Sequence, residues 1–138
     1  MHYDFIAIPD TDVPQAVDST FQHAVTTYAS EANKTVSVWR AVFTAFHRAL
    51  RPGGSVWVFD LVESSIPAVG QLMRRRYGDY LTGLKDEAYR DHVFAYVEKE
   101  DTPRPLLFQL DLLRQVGFSQ VEVLHKNVCF AVFGAVKG

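Results

Sequence analysis

Two acidic residues lie near the carboxyl end of the most apolar segment of the chain, residues 55–62, which is dense in valine and aromatic side chains. These residues are Asp60 and Glu63. Open α/β sheets bind their ligands just beyond the carboxyl ends of their strands. Both carboxylates are therefore candidate contacts to a substrate or to the edge of a cofactor. The alternative is that they cap a helix or face solvent in a loop.

A second group combines tyrosines and arginines on two adjacent segments with a helical pattern. Its members are Arg76, Tyr77, Tyr80, Tyr89 and Arg90. A tyrosine hydroxyl can donate a hydrogen bond to a carboxylate or phosphate, and an arginine fork can bind either group through two parallel hydrogen bonds. This group is therefore a candidate substrate-binding set. The competing interpretation is a pair of helices whose amphipathic aromatic side chains pack on a sheet.

The remaining reactive side chains do not form a recognisable centre. The five histidines are scattered, and no pair has zinc-ligand spacing with a third ligand, so no metal site is predicted. Cys129 falls in an apolar segment and is expected to be a buried, unreactive thiol. Because it is the single cysteine, it excludes an internal disulfide and fits a reducing compartment.

Composition limits the class of protein and its partners. The 138 residues suit one domain, 1–138, and a hydrophobic content of 48% is well outside the disordered range. A formal net charge of −2 argues against a nucleic-acid partner held by bulk electrostatics. The N-terminus lacks a signal-peptide pattern, and no stretch approaches the ~20 apolar residues of a membrane span. We therefore expect a cytoplasmic protein without a membrane partner.

Hydrophobic periodicity predicts the elements that would position the candidate residues. Residues 36–50 place apolar side chains at intervals of three and four, which predicts a helix that ends at a proline-glycine turn. Residues 55–62 predict a strand buried on both faces, as is typical of a parallel strand covered by helices. Residues 66–82 and 86–99 predict two helices separated by a break at Gly83.

The C-terminal part of the chain predicts one more helix and a hairpin. Residues 101–105 have the composition of a loop, and residues 106–116 carry a helical leucine stripe. Residues 119–125 and 128–136 predict two antiparallel strands joined by a tight turn at residues 126 and 127. Together with the preceding elements, this is an α/β pattern with a mixed sheet.

Two motifs in these segments carry a likeness to a known family. The first is Leu50-Arg51-Pro52-Gly53-Gly54 before the apolar strand, and the second is Leu112-Leu113-Arg114-Gln115-Val116-Gly117-Phe118 before the hairpin. Together they resemble the entry to the fifth strand, the last helix and the closing sixth and seventh strands of class I S-adenosylmethionine-dependent methyltransferases. Residues 66–100 are similar to the substrate cap of the carboxy-S-adenosylmethionine synthase branch, which serves wobble-uridine modification. The likeness covers residues 35–137.

The resemblance implies a partial Rossmann-like methyltransferase fold. Its mixed sheet would have about four strands in the order fourth–fifth–seventh–sixth, with a C-terminal antiparallel hairpin and helices on both faces. Residues 3–8 would stand for the fourth strand. Alternatively, residues 12–28 resemble the helical N-terminal lead of the same branch, with the cofactor-binding middle deleted.

The cofactor-binding half of the family has no counterpart in this chain. The eight glycines contain no G-x-G-x-G arrangement. Only 54 residues precede the fifth-strand match, too few for four strands when each βαβ unit needs about 30 residues or more. The chain therefore looks like a truncated, C-terminal half of the fold, and we expect no bound cofactor.

Three functions are compatible with these features, one of which is a domain-swapped structural dimer with no ligand. The first is a methyltransferase-like, non-catalytic unit that binds a small molecule or a protein. The edge left bare by the missing strands would pair with a second copy, giving a homodimer through that edge or through a swapped element. The alternative is an S-adenosylmethionine-dependent methyltransferase whose cofactor pocket is completed by a second chain.

Overall fold

A computed structural model describes residues 36–100 and 103–138 of the chain. These residues form four helices and four strands. In chain order they are α1 (Val36–Ala49), β1 (Ser55–Glu63), α2 (Pro67–Leu84), α3 (Glu87–Glu100), β2 (Arg104–Pro105), α4 (Leu106–Gln115), β3 (Gln120–Asn127) and β4 (Phe130–Val136). The predictions for residues 3–8 and 12–28 lie outside the described residues.

The four strands form one mixed sheet in the order β2-β1-β4-β3. The short β2 runs parallel to β1, and the two other pairings are antiparallel. The predicted α/β class, with about four strands and a C-terminal antiparallel hairpin, is therefore confirmed. The order β1-β4-β3 is the one that the resemblance implies for the fifth, seventh and sixth strands. Among the described strands, the place implied for the fourth strand is held by β2.

The core joins one face of the sheet to α1 and α4, because apolar residues recur at helical spacing in the helices and at alternate positions in the strands. The largest contributions come from buried side chains of α1, β1, α4 and β4: Trp39, Phe43, Phe46, Val56, Val58, Leu112, Leu113 and Phe133. The end of α1 is held to the sheet by Lys137, whose Nζ donates 2.8 Å hydrogen bonds to the carbonyls of His47 and Leu50. This contact satisfies one carbonyl in the last turn of the helix and that of the residue directly after it.

The expectation that β1 is buried on both faces is wrong. Val56 and Val58 are buried, but Phe59, on the opposite face, is 43% exposed. β1 pairs with β4 over seven residues in the antiparallel sense, and with β2 only at Val62 and Glu63. On this second face, the ring of Phe59 stacks on that of Phe130 of β4 and stays partly exposed.

Three boundaries differ from the sequence expectations. Gly83 does not break a helix, since α2 continues to Leu84 and α3 starts where the Asp86 carboxylate accepts a 2.7 Å hydrogen bond from the Tyr89 N–H. The hairpin reverses at Val128 and Cys129, not at residues 126 and 127. Residues 104 and 105 form β2 inside the predicted loop.

In the part of the chain that is described, no helix has the length and apolar character needed to span a membrane.

Candidate functional site

Four aromatic rings form a continuous series from β1 to α2, which we call the aromatic row: Phe59, Phe130, Tyr77 and Tyr80. The rings of Phe59 and Phe130 stack with centroids 5.8 Å apart. Tyr77 meets Phe130 edge-on at 5.2 Å. Tyr77 and Tyr80 stack at 6.5 Å. These separations are those of favourable aromatic pairs, so the row ties the helix to the sheet.

The positions of the four rings follow from local geometry. Phe59 pairs with Val132, and Leu61 pairs with Phe130, so Phe59 and Phe130 are diagonal neighbours on one face of the sheet. Tyr77 and Tyr80 are three residues apart on α2 and therefore share one side of the helix. The antiparallel register and the helical spacing together align the four rings.

The exposure of the row differs between its ends and its middle. Phe59 is 43% exposed and Tyr80 is 59% exposed, whereas Tyr77 and Phe130 are half-buried. Leu72, on the preceding turns of α2, is also exposed. Exposed rings can stack on a planar ligand, and the Tyr80 hydroxyl can donate or accept a hydrogen bond. The row can therefore bind a ring system at either end.

The predicted tyrosine and arginine group is only partly brought together. Tyr77 and Tyr80 lie in the row, and Arg76 is exposed on α2 directly before Tyr77. Sequence reasoning missed Phe59 and Phe130, although both belong to apolar strand segments. No sequence signal identifies them as neighbours, because their contact depends on the register between β1 and β4.

Arg90 is engaged on its own helix. Its Nε donates to Asp91 at 2.8 Å, and its guanidinium lies 3.8 Å from Glu87. The hydrogen bond to Asp91 raises the pKa of the guanidinium. The stem of Arg90 packs across Gly78 of α2, where an added Cβ would lie 3.4 Å from its Cδ. Arg90 thus helps to pack α3 against α2, and its charge already has two carboxylate neighbours.

Tyr89 lies in the first turn of α3. Its ring centroid is 5.9 Å from Nζ of Lys85, which belongs to the connection between α2 and α3. The helix pair is held together elsewhere by Arg74, whose guanidinium lies 4.3 Å above the ring of Phe94 and 2.6 Å from Glu98. Tyr89 therefore contacts the turn between the two helices. Among the described residues, its ring contact is with Lys85 and not with the aromatic row.

The two carboxylates of β1 point to opposite faces of the sheet, because they are three residues apart in a strand. Asp60 is half-buried on the side of Val58 and Val62, and its Oδ1 accepts a 2.8 Å hydrogen bond from the Leu61 N–H. Glu63 is exposed at the end of β1, opposite Pro105. The two do not form a paired acid and base.

Metal and thiol chemistry find little support in this part of the molecule. Within residues 36–100 and 103–138, no three or more histidine, cysteine, aspartate or glutamate side chains are grouped as metal ligands would be. Cys129 is buried at the hairpin turn, and this burial raises the pKa of its thiol to about 11. Since the thiolate is the nucleophilic form, the thiol is expected to be unreactive near neutral pH.

Comparison with known proteins adds information about the fold only. No protein-family model and no curated protein matches the chain. Among solved structures, the chain is similar to a possible exported protein from Bordetella parapertussis, with 14% identity and a TM-score of 0.50. The match covers 77% of this chain and 35% of that one, so this chain spans about a third of the matched structure.

Proposed function

We propose that this chain is a methyltransferase-like α/β unit that binds a small molecule at the aromatic row and does not itself transfer a methyl group. The observation that carries the proposal is the continuous row of four rings with both ends exposed. The ligand would have a planar ring that stacks on Tyr80 or Phe59. Arg76, which is exposed beside Tyr77, would bind a carboxylate or phosphate on the ligand.

Backbone geometry at the two motifs supports the methyltransferase resemblance. Gly53 has φ +80° in the turn before β1, and Gly117 has φ +113° at the end of α4. Only glycine adopts such angles without strain, so both motifs hold glycine where the turn requires it. The strand order β1-β4-β3 supports the same resemblance. Because the sequence has no Gly-rich loop, the proposed unit works without a bound cofactor.

The side of β1 that faces away from β4 is paired only at its end within residues 36–100 and 103–138, which supports a homodimer as part of this proposal. The Val62 N–H donates to Cys129 and the Gly54 carbonyl accepts from Lys137, so the backbone groups of even-numbered residues face β4. Those of Trp57 and Phe59 therefore face the other side. In residues 36–100 and 103–138, only the two-residue β2 pairs on that side. An open edge of this kind favours pairing with another chain.

The same edge favours one alternative function. A second chain that pairs with β1 would stand where the cofactor-binding half of a methyltransferase stands. The alternative is therefore an S-adenosylmethionine-dependent methyltransferase whose pocket is completed between two chains. It differs from the first proposal in one property, which is binding of the cofactor by the assembled protein.

A titration separates the two functions. Indole-3-acetate, a planar ring with a carboxylate, should shift the NMR signals of Tyr77 and Tyr80 in the full chain. Tyr80→Ala should weaken this binding about two- to tenfold, the equivalent of one aromatic pair, and Tyr96→Ala, a change of an exposed tyrosine on α3, should not. Equal losses in both variants, or no binding, would contradict the site. Micromolar binding of S-adenosylhomocysteine would instead support the methyltransferase.

A cytoplasmic location belongs to the proposal and rests on the single cysteine, which is buried and has no disulfide partner. The matched structure's description as a possible exported protein concerns that protein alone. Fractionation of cells that express the full-length protein would test the location. Recovery outside the cytoplasm would contradict it.

A further inference from the structure

The helices α2 and α3 form a layer that is separate from the main core. The buried side chains of that core come from α1, β1, α4, β4 and the corner at Phe118. Within residues 36–100 and 103–138, neither these side chains nor the partly buried ones packed against them include a residue of α2 or α3. A unit that has its own small set of contacts can open at a lower free energy than the whole domain unfolds.

α2 meets the second face of the sheet, the one that carries Phe59, along a single stripe. Met73, Tyr77 and Leu81 follow one another at intervals of four residues and therefore share one side of the helix. Met73 and Leu81 are buried, and the ring of Tyr77 meets that of Phe130 edge-on at 5.2 Å. This stripe is therefore the surface by which α2 rests on the sheet.

α3 is attached to the molecule mainly through α2. Between residues 87 and 99, it has no fully buried side chain. Its contacts with α2 are close: the Arg74 guanidinium lies 4.3 Å above the ring of Phe94, and the ring of Tyr77 lies 6.0 Å from it. A Cβ added at Gly78 would lie 3.3 Å from Cζ of Phe94. Contacts of this kind hold the two helices together as a pair.

We infer that α2 and α3, residues 67–100, form a lid that opens from the second face of the sheet as one body. The contact between Tyr77 and Phe130 is its latch. The connection from β1 to α2 is residues 64–66, of which Ser65 and Ile66 are exposed. Hinges are a few residues of this kind, at the end of an element, that absorb a change in backbone angles. The helical hydrogen bonds of α2 and α3 stay intact as the lid opens.

Opening of the lid divides the aromatic row. Phe59 and Phe130 belong to the sheet, whereas Tyr77 and Tyr80 belong to the lid. The four rings therefore form one series only in the closed state, so the lid controls any contact that uses both parts of the row. The inference needs neither a ligand at the row nor the methyltransferase resemblance, and it stands apart from the function proposed above.

Labelling of thiols with iodoacetamide in the full chain, read by peptide mass spectrometry, tests the lid. Met73→Cys and Leu81→Cys each place a thiol on the covered stripe. Gly83→Cys places one on the same helix where an added Cβ meets nothing within 4 Å, so it gives the rate of an open thiol. The native Cys129, buried at the hairpin turn, gives the rate at which the sheet itself opens.

One opening should expose both ends of the stripe. We therefore expect the thiols of Met73→Cys and Leu81→Cys to be labelled more slowly than that of Gly83→Cys, and by the same factor. Cys129 should be labelled at least about tenfold more slowly than either, because its exposure requires the main sheet to open. Unequal factors for the two covered thiols, or covered thiols that react no faster than Cys129, overturn the inference.

A matched pair of variants tests the latch. Phe130→Leu removes the edge-on contact with Tyr77 and should raise the labelling rate of Leu81→Cys about two- to tenfold, the equivalent of one aromatic pair. Phe59→Leu removes the stack with Phe130, which joins two strands of the sheet, and should leave that rate unchanged. Equal effects of the two substitutions would contradict the latch.

Two further measurements separate opening of the lid from unfolding. The amide protons of α2 should be protected by a larger factor than the thiol of Leu81→Cys, because the helix stays formed; equal protection would show that α2 unfolds and would overturn the inference. If a cysteine variant does not fold, the wild type decides. Oxidation of Met73 by hydrogen peroxide, relative to its rate in denaturant, should be slowed by a smaller factor than labelling of Cys129. Equal factors would overturn the lid.

Discussion

The ring of Trp57 lies across the backbone of Gly134, its directly opposite partner on β4. A Cβ at position 134 would lie 2.7 Å from Cε3 of Trp57, and it would also collide with the carbonyl of Val56. Real Cβ atoms do not approach other atoms this closely. An aromatic ring therefore covers the second face of the sheet at this end.

Gly134→Ala should therefore destabilise the fold. Because the added methyl group meets backbone as well as a ring, neither of which can move easily, we expect the free energy of unfolding to fall by about 1–3 kcal/mol. Chemical denaturation of both proteins measures the difference. A matched control is Gly83→Ala in α2, where an added Cβ meets nothing within 4 Å. That change should raise the free energy of unfolding by about 0.5–1 kcal/mol. An unchanged Gly134→Ala protein would contradict the close approach.

The hairpin turn holds an ordinary residue in a glycine-type conformation. Val128 has φ +51°, in the left-handed region that β-branched residues avoid. Asparagine tolerates this region, so Val128→Asn should raise the free energy of unfolding by about 1 kcal/mol. Alanine keeps the Cβ penalty and loses part of the side chain, so Val128→Ala should give no gain. Thermal unfolding of the three proteins tests the order, and a destabilised Val128→Asn would show that the valine side chain outweighs the strain.

The differences between the sequence expectations and the structure show what could be predicted from the sequence. Binary patterning identified α1 and α4, because each carries an apolar stripe long enough to specify both its type and its buried face, and the apolar run of β1 specified a strand but not which face is buried. The hairpin was also predicted, but its turn was misplaced by two residues. Lys126 and Asn127 have turn chemistry, yet the chain reverses at Val128, which has none. The position of the turn follows from the pairing register between β3 and β4, in which Phe133 is buried, and not from the turn propensity of the local residues.

The candidate site was harder to predict from the sequence, because it also depends on the register between strands. Tyr77 and Tyr80 were identified because tyrosine and arginine can bind a carboxylate or phosphate and because these residues lie in the segments that resemble a substrate cap. Phe59 and Phe130 come from strands far apart in sequence, so their stacking depends on a register that no single-strand pattern contains. β2 is only two residues long, and its existence depends on tertiary pairing with β1.

Burial of Cys129 predicts a specific pH dependence of stability. The folded thiol has a pKa raised to about 11 from an ordinary value of 9.0. A raised pKa in the folded state means that the unfolded chain loses the thiol proton first. The contribution of the buried, protonated thiol to the free energy of unfolding is therefore fully present below about pH 9. It is lost progressively up to about pH 11. The loss should be at most about 2–3 kcal/mol for two pKa units.

Other groups titrate in this range, so the test compares two proteins. The free energies of unfolding of wild type and of Cys129→Ala, measured between pH 8 and pH 11, should converge as the pH rises. The alanine variant loses packing at every pH but has no thiol to ionise. Iodoacetamide should also label the folded wild-type thiol slowly near neutral pH and rapidly after unfolding. A constant difference across the range would show that the folded and unfolded thiols ionise alike.

Pairing at the side of β1 that faces away from β4 can be tested at one residue. The N–H of Phe59 lies on this side, so Phe59→Pro removes a donor there and leaves the bonds to β4 in place. Phe59→Ala removes the same ring and retains the N–H. If the proposed homodimer forms through this edge, sedimentation of the full chain at tens of micromolar should show a dimer for wild type and Phe59→Ala, and a monomer for Phe59→Pro. Circular dichroism should confirm that all three are folded. A monomeric wild type would contradict the dimer, and a dimeric Phe59→Pro would place the interface elsewhere.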